Sequence, residues 1–175
     1  MNEKPDAIRI AGVVRESIVD GPGIRYVVFA QGCPHGCKGC HNEATHDFSG
    51  GYVCETDKIV SEIEKNPLLS GVTFSGGEPF CQAGGFLSLA RKLKERNTHI
   101  VSFSGYTYEE LAALSETDEG VRGLLGCIDV LIDGRFVLEM RDLTLQFKGS
   151  SNQRYIDMNA TRGSGALVVL EGSQG

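Results

Sequence analysis

Residues 72–79, with the sequence VTFSGGEP, join a short apolar run to a glycine-rich turn. A helical period follows the turn, in which Phe86, Leu89, Ala90 and Leu93 share one face. Lysine and arginine side chains lie toward the end of this segment, and cationic side chains stabilise the carboxyl end of a helix. The stretch therefore predicts a strand, a tight turn and an amphipathic helix in direct succession.

The same alternation extends in both directions along the chain. Further strands are predicted at residues 8–14, 24–29, 99–103 and 127–133, with weaker candidates at 143–147 and 166–170. Thr56 is predicted to cap a helix that ends near Asn66-Pro67, and Thr107 with Glu110 forms a capping box for another. Alternation of strands and helices is typical of an α/β fold, in which helical crossovers join parallel strands.

These patterns predict about five or six mostly parallel strands. Because a closed barrel of this kind needs eight strands, a partial, open (β/α) barrel or an open doubly wound sheet is expected. Residues 31–51 contain cysteines and glycines with little periodicity and form a long loop after one strand, while Gly76-Gly77-Glu78 follows another. Chemistry gathers at the carboxyl ends of such strands, so both segments should open on the same face.

The length of 175 residues suits a single domain, residues 1–175. Its core is predicted at about residues 8–154, with a flexible polar tail before it and a flexible glycine-rich tail after it. The net charge of −6 argues against a nucleic-acid-binding or anionic-membrane surface. No apolar run approaches the ~20 residues of a membrane span, and the polar start is unlike a signal peptide. A cytoplasmic location is expected.

The chain contains six cysteines, and three of them fall within the segment CPHGCKGC, as Cys33, Cys37 and Cys40. The spacing C-x3-C-x2-C favours a metal site over a disulfide, since the cytosol keeps thiols reduced. Thiolates are soft ligands that suit zinc or iron–sulfur clusters. A 4Fe–4S cluster is normally held by four cysteines. Three would leave one iron without a protein ligand, and an open coordination position is where a metal centre performs chemistry.

Spacing alone leaves other ligand sets open. His41 or His35 could complete a Cys3His zinc site, and Cys54 or Cys81 could supply a fourth cysteine. Structural zinc usually has two separated pairs of ligands, and no second pair lies downstream, so the spacing favours the cluster. Cys54, Cys81 and Cys127 are scattered singly, which is typical of small buried residues.

Taken together, the motifs resemble those of radical S-adenosylmethionine enzymes, in which C-x3-C-x2-C follows one strand and Gly-Gly-Glu follows the next. The segments DGPGIR (20–25) and QGC (31–33) are similar to those of glycyl-radical-enzyme activases. VLIDGRF (130–136) and GSSNQR (149–154) resemble segments of the activases that act on the anaerobic ribonucleoside-triphosphate reductase. The resemblance covers about residues 8–154 and implies a partial barrel of the radical S-adenosylmethionine type.

This resemblance implies that Cys33, Cys37 and Cys40 each ligate one iron of a 4Fe–4S cluster, whose fourth iron binds S-adenosyl-L-methionine. Reductive cleavage of that molecule gives a 5′-deoxyadenosyl radical, which removes a hydrogen from a glycine of the reductase. No catalytic residue is implied beyond the cluster and its bound S-adenosylmethionine. The site has to be dry and shielded, because such a radical attacks any nearby hydrogen donor.

The same resemblance implies a set of cofactor-binding residues: Gly39, Cys40, His41, Gly76, Gly77 and Glu78. Gly76 and Gly77 would let the backbone approach the methionine moiety, and Glu78 would accept a hydrogen bond from its ammonium group. Gly39 and His41 would touch the adenine end. Two further interpretations stay open, since Asp133 and Arg135 could face the cofactor or solvent, and residues 150–154 could shield the cluster, dock the reductase or form a polar turn.

The implied partners are the anaerobic reductase as protein substrate and flavodoxin or a similar electron donor. The sequence does not decide between a monomer and a homodimer. Two alternative functions share part of the pattern. A pyruvate formate-lyase-type activase, or another radical S-adenosylmethionine enzyme, would use the same chemistry on a different substrate. A zinc or iron–sulfur binding module without catalytic activity would need a fourth protein ligand.

Overall fold

The computed structural model describes residues 6–40 and 42–170 of the chain. Within these ranges the strands are Ala7–Ser17 (β1), Arg25–Ala30 (β2), Tyr52–Glu55 (β3), Gly71–Gly76 (β4), Ile100–Phe103 (β5), Val130–Asp133 (β6), Arg154–Asp157 (β7) and Val169–Leu170 (β8). The α-helices are Thr56–Glu64 (α1), Ala83–Lys94 (α2), Tyr108–Ser115 (α3), Glu119–Cys127 (α4) and Met158–Ser164 (α5). None of the helices so described is long and apolar enough to cross a membrane.

One open, mixed sheet contains these strands in the order β3-β1-β2-β4-β5-β6-β7-β8. The central strands β2, β4, β5 and β6 are parallel, and helices form the crossovers between them. β1 and β3 on one side, and β7 and β8 on the other, pair antiparallel. The predicted α/β class and the open sheet are confirmed. The prediction of five or six mostly parallel strands is wrong, because antiparallel strands extend the parallel centre at both edges.

The two faces of the sheet pack differently. On one face, alternate strand residues such as Val28, Phe74 and Leu131 form the main core with apolar side chains of the helices. The rings of Phe74 and Phe86 meet edge to face with their centroids 5.0 Å apart, and complete burial of each ring contributes about 1.5–3 kcal/mol. On the other face a smaller cluster surrounds Ile132, and loops rather than helices lie across it. The open face is therefore the one available for a site.

Packing between β2 and β4 sets the geometry of the loops that leave them. The two strands end in register, with Ala30 opposite Gly76. Gly76 has a φ of 92°, and a Cβ on it would lie 2.6 Å from the backbone of Ala30. A Cβ on Gly77 would overlap the carbonyl oxygen of Gly32. The glycine pair thus allows the turn after β4 to lie directly against the start of the cysteine loop.

The opposite, amino end of the parallel strands is closed by the buried side chain of Arg25. Its guanidinium donates to the carbonyl oxygens of Pro22, Val72 and His99 and to Oγ1 of Thr73, at 2.7–3.0 Å. Burial lowers the pKa of this guanidinium to about 10. The segment DGPGIR is the turn between the antiparallel strands β1 and β2, and its arginine ties that turn to β4 and β5.

Several local predictions can be compared with the structure. The capping box of Thr107 and Glu110 at the start of α3 is confirmed. Thr56 is not a cap, because Glu55 occupies the N-cap position and the buried Thr56 is the first helical residue. The predicted strand at 127–133 begins only at Val130, since Cys127 ends α4.

The predicted strand at residues 143–147 is wrong. This segment forms turns instead, held by Asp142, whose Oδ1 accepts from the backbone nitrogen of Thr144. Leu143 is 78% exposed, so the apolar letters of this segment do not mark a buried strand. Beyond residue 154, where a flexible tail was expected, β7, α5 and β8 continue the fold to residue 170. Residues 1–5 and 171–175, the ends of the two predicted tails, lie outside the described residues.

Candidate metal centre

A cavity of about 560 Å³ opens at the carboxyl ends of the four parallel strands. Each strand contributes lining residues from the segment that follows it: Cys33 after β2, Gly77 after β4, Ser104 after β5 and Gly134 after β6. The volume lies within the range of ~300–1,000 Å³ usual for cofactor and small-molecule sites. Strand ends of this kind are where open α/β sheets bind ligands.

Cys33, Cys37 and Cys40 all line this one cavity, so the structure brings the predicted triad together. The loop that carries them is fixed at its start, where Gly32 N donates to Thr45 O at 2.6 Å and Cys33 N to His46 O at 3.1 Å. Further along, Gly36 and Gly39 adopt φ angles of 60° and 76°, which only glycine reaches without strain. These bonds and turns hold a short loop around the cavity, as its glycine content predicted.

The buried side chain of Gln31 also supports this loop, and the sequence analysis noted it only as part of the segment QGC (31–33). Its Nε2 donates to the carbonyl oxygens of Ala44 and Asp47, at 3.2 and 2.7 Å. Those two residues lie beyond the cysteines, so one side chain closes the loop from its first residue to its return. Neither that similarity nor its position after a strand predicted the role of its side chain.

The chemistry of the donors fits an iron–sulfur cluster. Burial raises the pKa of the Cys33 and Cys40 thiols above the ordinary value, although a backbone N–H lowers each in part. A neutral thiol in such a place gains most from a metal, which replaces its proton and neutralises the thiolate. Three soft sulfur donors on one wide cavity are a set that suits iron–sulfur or zinc chemistry.

The described residues, which exclude His41, contain no group of three His, Cys, Asp or Glu side chains placed to hold a single metal ion. The three thiols share a cavity without converging in that way. Such a distribution is compatible with a cluster, in which each cysteine binds a different iron. The predicted contribution of His41 to either a zinc site or the adenine end lies outside the described residues and stays a prediction.

The turn after β4 faces the same cavity through Gly76 and Gly77. Gly77 N donates to Ala30 O, and Glu78 N donates to Gly32 O, both at 2.8 Å. The turn is thereby joined by its backbone to the strand end and loop that carry Cys33. The predicted contact of Gly76 and Gly77 with a methionine moiety stays a prediction, and the position of both glycines on the cavity wall is compatible with it.

Glu78 is completely buried and is not one of the residues that line the cavity. Oε1 lies 2.7 Å from Nε2 of His35 and accepts from Gly105 N at 2.8 Å. Oε2 accepts from Phe80 N at 3.1 Å, and the hydroxyl of Ser104 lies within 3.0 Å of both oxygens. The carboxylate is therefore surrounded by groups of the protein. Its predicted contact with an ammonium group stays a prediction.

Gly39 packs against the side chain of Leu138, where a Cβ would approach Cδ1 to 2.9 Å. It is not among the residues that line the cavity, whereas Cys40 is. The absence of a side chain at Gly39 thus lets the cysteine loop lie against the segment after β6. Its predicted contact with adenine stays a prediction.

Asp133 and Arg135 do not line the cavity. Asp133 is buried and receives hydrogen bonds from Tyr108 N and from the guanidinium of Arg154. Arg135 pairs with Glu110 at 2.7 Å, and this guanidinium holds the pKa of the Glu110 carboxyl at about 2. Both residues link strand ends to the start of α3, and the guanidinium of Arg135 lies near enough to Cys37 for their charges to interact.

The segment GSSNQR forms part of the cavity wall through Gly149 and Gln153. Gln153 Nε2 donates to Gly134 O at 3.0 Å, and Asn152 Nδ2 donates to Arg135 O at 2.8 Å. These hydrogen bonds hold the segment against the backbone that follows β6. The position fits the predicted shielding role, and contact with a reductase stays a prediction.

The segment DGPGIR contributes Asp20 to the cavity wall. Further residues of the cavity were missed by sequence reasoning: Val19, Phe29, Asn42, His46, Ser75, Phe103, Gly105, Asp142, Leu143, Leu145, Phe147 and Lys148. Strand alternation could have identified Phe29, Ser75 and Phe103, because each points to the open face. The turns around 142–149 carried no such signal, since their position across the sheet depends on the long-range hydrogen bond of Gln153.

The other three cysteines do not line this cavity. Cys54 lies on the edge strand β3 and Cys127 at the end of α4. Cys81 lines a second cavity of about 770 Å³ near the start of α2, and burial raises the pKa of its thiol to about 11. The structure therefore places none of them beside the triad as a further lining thiol.

Comparison with known proteins gives matches over most of the chain. Residues 19–156 match a family described as a 4Fe-4S single cluster domain. The chain is 38% identical over 144 residues to the anaerobic ribonucleoside-triphosphate reductase-activating protein of Vibrio cholerae, covering 78% of this chain and 89% of that protein. The protein of the same name from Escherichia coli strain K12 is 31% identical over 144 residues, covering 78% and 90%.

Two more distant similarities are partial. The pyruvate formate-lyase-activating enzyme of Clostridium pasteurianum is 36% identical over 119 residues, which are 63% of this chain and 49% of that enzyme. The crystal structure of QueE from Escherichia coli has a TM-score of 0.46 and 17% identity, covering 58% of this chain and 53% of that one. That structural likeness is too low to carry a conclusion.

The family match supports the prediction of an iron–sulfur cluster, and the two activating proteins match over most of their own length. The residues on which the first resemblance was based, the cysteine triad and the Gly-Gly-Glu turn, lie inside the matched range, and the triad with Gly76 and Gly77 lines one cavity. The chain belongs to the 4Fe-4S single cluster domain family and to the anaerobic ribonucleoside-triphosphate reductase-activating proteins.

Proposed function

We propose that this activating enzyme generates a glycyl radical on the anaerobic ribonucleoside-triphosphate reductase, by reductive cleavage of S-adenosyl-L-methionine at a 4Fe–4S cluster. The observation that carries the proposal is the placement of Cys33, Cys37 and Cys40 on one cavity, with no other described cysteine lining it. Three thiolates leave the cluster one open iron. When bound, the cluster would supply the electron that cleaves the carbon–sulfur bond of the sulfonium.

The residues of the chain then have distinct tasks. The three cysteines would hold the cluster at the carboxyl ends of the strands. Gly76 and Gly77, which lie on the same wall, would let backbone groups approach the methionine moiety. Gly39, Cys40 and His41 would lie toward the adenine end. The open sheet would correspond to a partial barrel of the radical S-adenosylmethionine type.

Apolar rings on the cavity wall favour the exclusion of water. Phe29, Phe103 and Phe147 all line the cavity, and the exclusion of water from a site limits side reactions of a reactive intermediate. Because the sheet is open, a loop of a protein substrate could reach the same space. Electron donation by flavodoxin or a similar reductant, homodimer formation and a cytoplasmic location stay predictions.

The direct test is anaerobic reconstitution of the full chain with iron and sulfide. The reduced protein should consume S-adenosylmethionine, and addition of the reductase from the same organism should give a glycyl radical by electron paramagnetic resonance. A protein that binds only zinc, with no cleavage of S-adenosylmethionine, contradicts the proposal.

A pyruvate formate-lyase-type activase is the second candidate, favoured by the partial match to the enzyme of Clostridium pasteurianum. It requires the same cavity and cluster, so only the protein substrate differs. Parallel incubations with a pyruvate formate-lyase and with the anaerobic reductase separate the two candidates, because only the true partner should acquire the radical signal.

A further inference from the structure

One buried ring in the cysteine loop has no task in the mechanism above. His35 lies between Cys33 and Cys37, and its side chain is only 4% exposed. Its Nε2 is 2.7 Å from Oε1 of the fully buried Glu78. Since a carboxylate can only accept hydrogen bonds, the ring nitrogen donates. The loop that carries the thiols is therefore anchored to the turn after β4 by a side chain, in addition to its backbone bonds.

The position of this ring is fixed from two further directions. Tyr106 meets it edge to face with the ring centroids 4.6 Å apart. Gly105 leaves space for it, because a Cβ at that position would overlap the imidazole. A carboxylate, an aromatic ring and a glycine backbone thus contact the imidazole from three directions, and His35 also lines the cavity.

Glu78 connects three segments that surround the cavity. It accepts from His35 after β2, from Phe80 N after β4, and from Ser104 and Gly105 after β5. A buried carboxylate needs such a set of donors to offset its desolvation. All of these donors come from the protein, and the carboxylate does not line the cavity, so a ligand would have to displace one of them to reach it.

We propose that Glu78 positions the cysteine loop through His35, and that it acts on S-adenosylmethionine only in this indirect way. His35 is two residues from both Cys33 and Cys37, so the direction of its ring sets the direction in which both thiols enter the cavity. The inference rests on the proposed function for its meaning in catalysis. The contact on which it depends, however, exists in the polypeptide itself.

The first test uses the full chain without a cluster and measures how fast each cysteine reacts with iodoacetamide, by mass spectrometry. His35→Ala should accelerate alkylation of Cys33 and Cys37 several-fold, with Cys54 on the far edge strand as the internal reference. His35→Gln should restore slow alkylation, because its amide can still donate to Glu78. Equal rates in wild type and His35→Ala overturn the proposal.

The matched control is Glu62→Gln. Glu62 also accepts a hydrogen bond from an aromatic side chain, the hydroxyl of Tyr26 at 2.7 Å, but on α1 away from the cavity. This variant should alkylate at the wild-type rate. An equal acceleration in Glu62→Gln means general loosening of the fold, and it also overturns the proposal.

The second test uses the reconstituted, reduced protein and its electron paramagnetic resonance spectrum before S-adenosylmethionine is added. Positioning predicts the same altered cluster spectrum in Glu78→Gln, in His35→Ala and in the double variant. A direct contact predicts instead that Glu78→Gln has a wild-type spectrum and loses only the change caused by S-adenosylmethionine, which overturns the proposal. If wild type builds no cluster, the proposed function fails, and the alkylation rates alone decide whether His35 holds the loop.

Discussion

At each end of the parallel strands one charged side chain is completely buried, Arg25 at the amino end and Glu78 at the carboxyl end. At the amino end, the guanidinium of Arg25 is surrounded by backbone carbonyl groups and Thr73. At the carboxyl end, the carboxylate of Glu78 is surrounded by N–H and hydroxyl donors and His35. Both ends use the same physical device, a buried charge whose desolvation is offset by several charge-assisted hydrogen bonds.

What differs is the nature of the segments that each charge connects. Arg25 joins Val72 of β4, His99 directly before β5 and the turn before β2, which together form the amino end of the parallel strands. Glu78 joins loops that line the cavity. A buried charge therefore stabilises the chain segments to which its hydrogen-bond partners belong. Changes at the amino end should therefore lower stability, and changes at the carboxyl end should alter the site.

The largest expected effect is at the carboxyl end. Replacement of Cys33, Cys37 or Cys40 by Ala should reduce the iron and sulfide content after reconstitution to background, because each thiolate would hold one iron of the cluster. The free energy of unfolding without cluster should stay near that of wild type, since no strand contact is lost. Iron and sulfide analysis together with urea denaturation measure both outcomes.

The matched controls are Cys54→Ala, Cys81→Ala and Cys127→Ala, which should keep the full iron content. Cys81→Ala is the most stringent of these controls, because a thiolate at Cys81 would interact electrostatically with Cys33. If one of the three variants lost the metal, a fourth protein ligand would exist, and the zinc or cluster-binding module without catalysis would be favoured over the activase.

The largest effect at the amino end is expected for Arg25→Met. The change removes the charged donor from the carbonyl oxygens of Val72 and His99 and from Thr73 Oγ1, although His99 O still accepts from Val72 N. Loss of a hydrogen bond to a charged group costs about 1.5–3 kcal/mol, so the free energy of unfolding should fall by about 3 kcal/mol in urea denaturation. Alkylation of the site cysteines, as a measure of the loop, should change little.

Arg15→Met provides the surface control for this variant. Arg15 pairs with Glu62 at 3.4 Å with its side chain 73% exposed, and exposed pairs contribute little. If Arg25→Met were as stable as Arg15→Met, the buried guanidinium would not be what holds the amino end together.

A smaller effect, with a defined pH dependence, is expected for Asp129→Asn at the amino end of β6. Burial alone would raise the pKa of Asp129, but donors from Lys94, Asn159 and Ile100 N outweigh it and hold the pKa below its ordinary value. A lowered pKa means that the stabilisation is present above the unfolded value of about 3.9 and is lost as pH falls through the folded value.

Asp129→Asn should therefore cost about 1.5–3 kcal/mol at pH 7, and the difference from wild type should narrow below about pH 4. Urea midpoints at pH 7 and pH 3 give the two values. Asp57→Asn, whose carboxylate pairs with Lys92 at 79% exposure, is the surface control and should show little change at either pH. A constant difference for Asp129→Asn across this range contradicts the ionic origin of its contribution.

The elements with strong local signals could be predicted from the sequence. The helical period at Phe86 and Leu89, the capping box at Thr107 and the glycine pair at the end of β4 all report local geometry. The antiparallel edge strands could not be predicted in the same way. β3 and β7 are short, and they exist because a neighbouring strand offers unpaired backbone groups, which is a tertiary effect. β8 lies inside the weaker strand candidate at 166–170.

The candidate site likewise has a part that could be predicted from the sequence and a part that could not. The triad could be predicted, because three thiols within one glycine-rich loop necessarily lie close together. The surroundings of Glu78 could not, since Ser104 and Gly105 come from the next strand and reach the carboxylate only through the parallel register of β4 and β5. The prediction of a strand at 143–147 is wrong because the apolar residues of this segment line a cavity and do not pair with a neighbouring strand.

The smallest expected effect concerns Thr107, at the start of α3, directly after the segment that contacts Glu78 and His35. Thr107 Oγ1 accepts from Glu110 N, and Glu110 accepts in return from Thr107 N. Thr107→Ala should lower the free energy of unfolding by about 1 kcal/mol, and Thr107→Ser should keep most of it. Because Arg135 still holds the Glu110 carboxylate in place, the helix should begin at the same residue, and the cysteines should alkylate at the wild-type rate. Faster alkylation of Cys33 in Thr107→Ala would contradict this prediction. It would mean that the cap of α3, as well as the buried charge of Glu78, holds the loops at the carboxyl end of the strands. The contrast between the two ends of the sheet would then be smaller than their hydrogen bonds indicate.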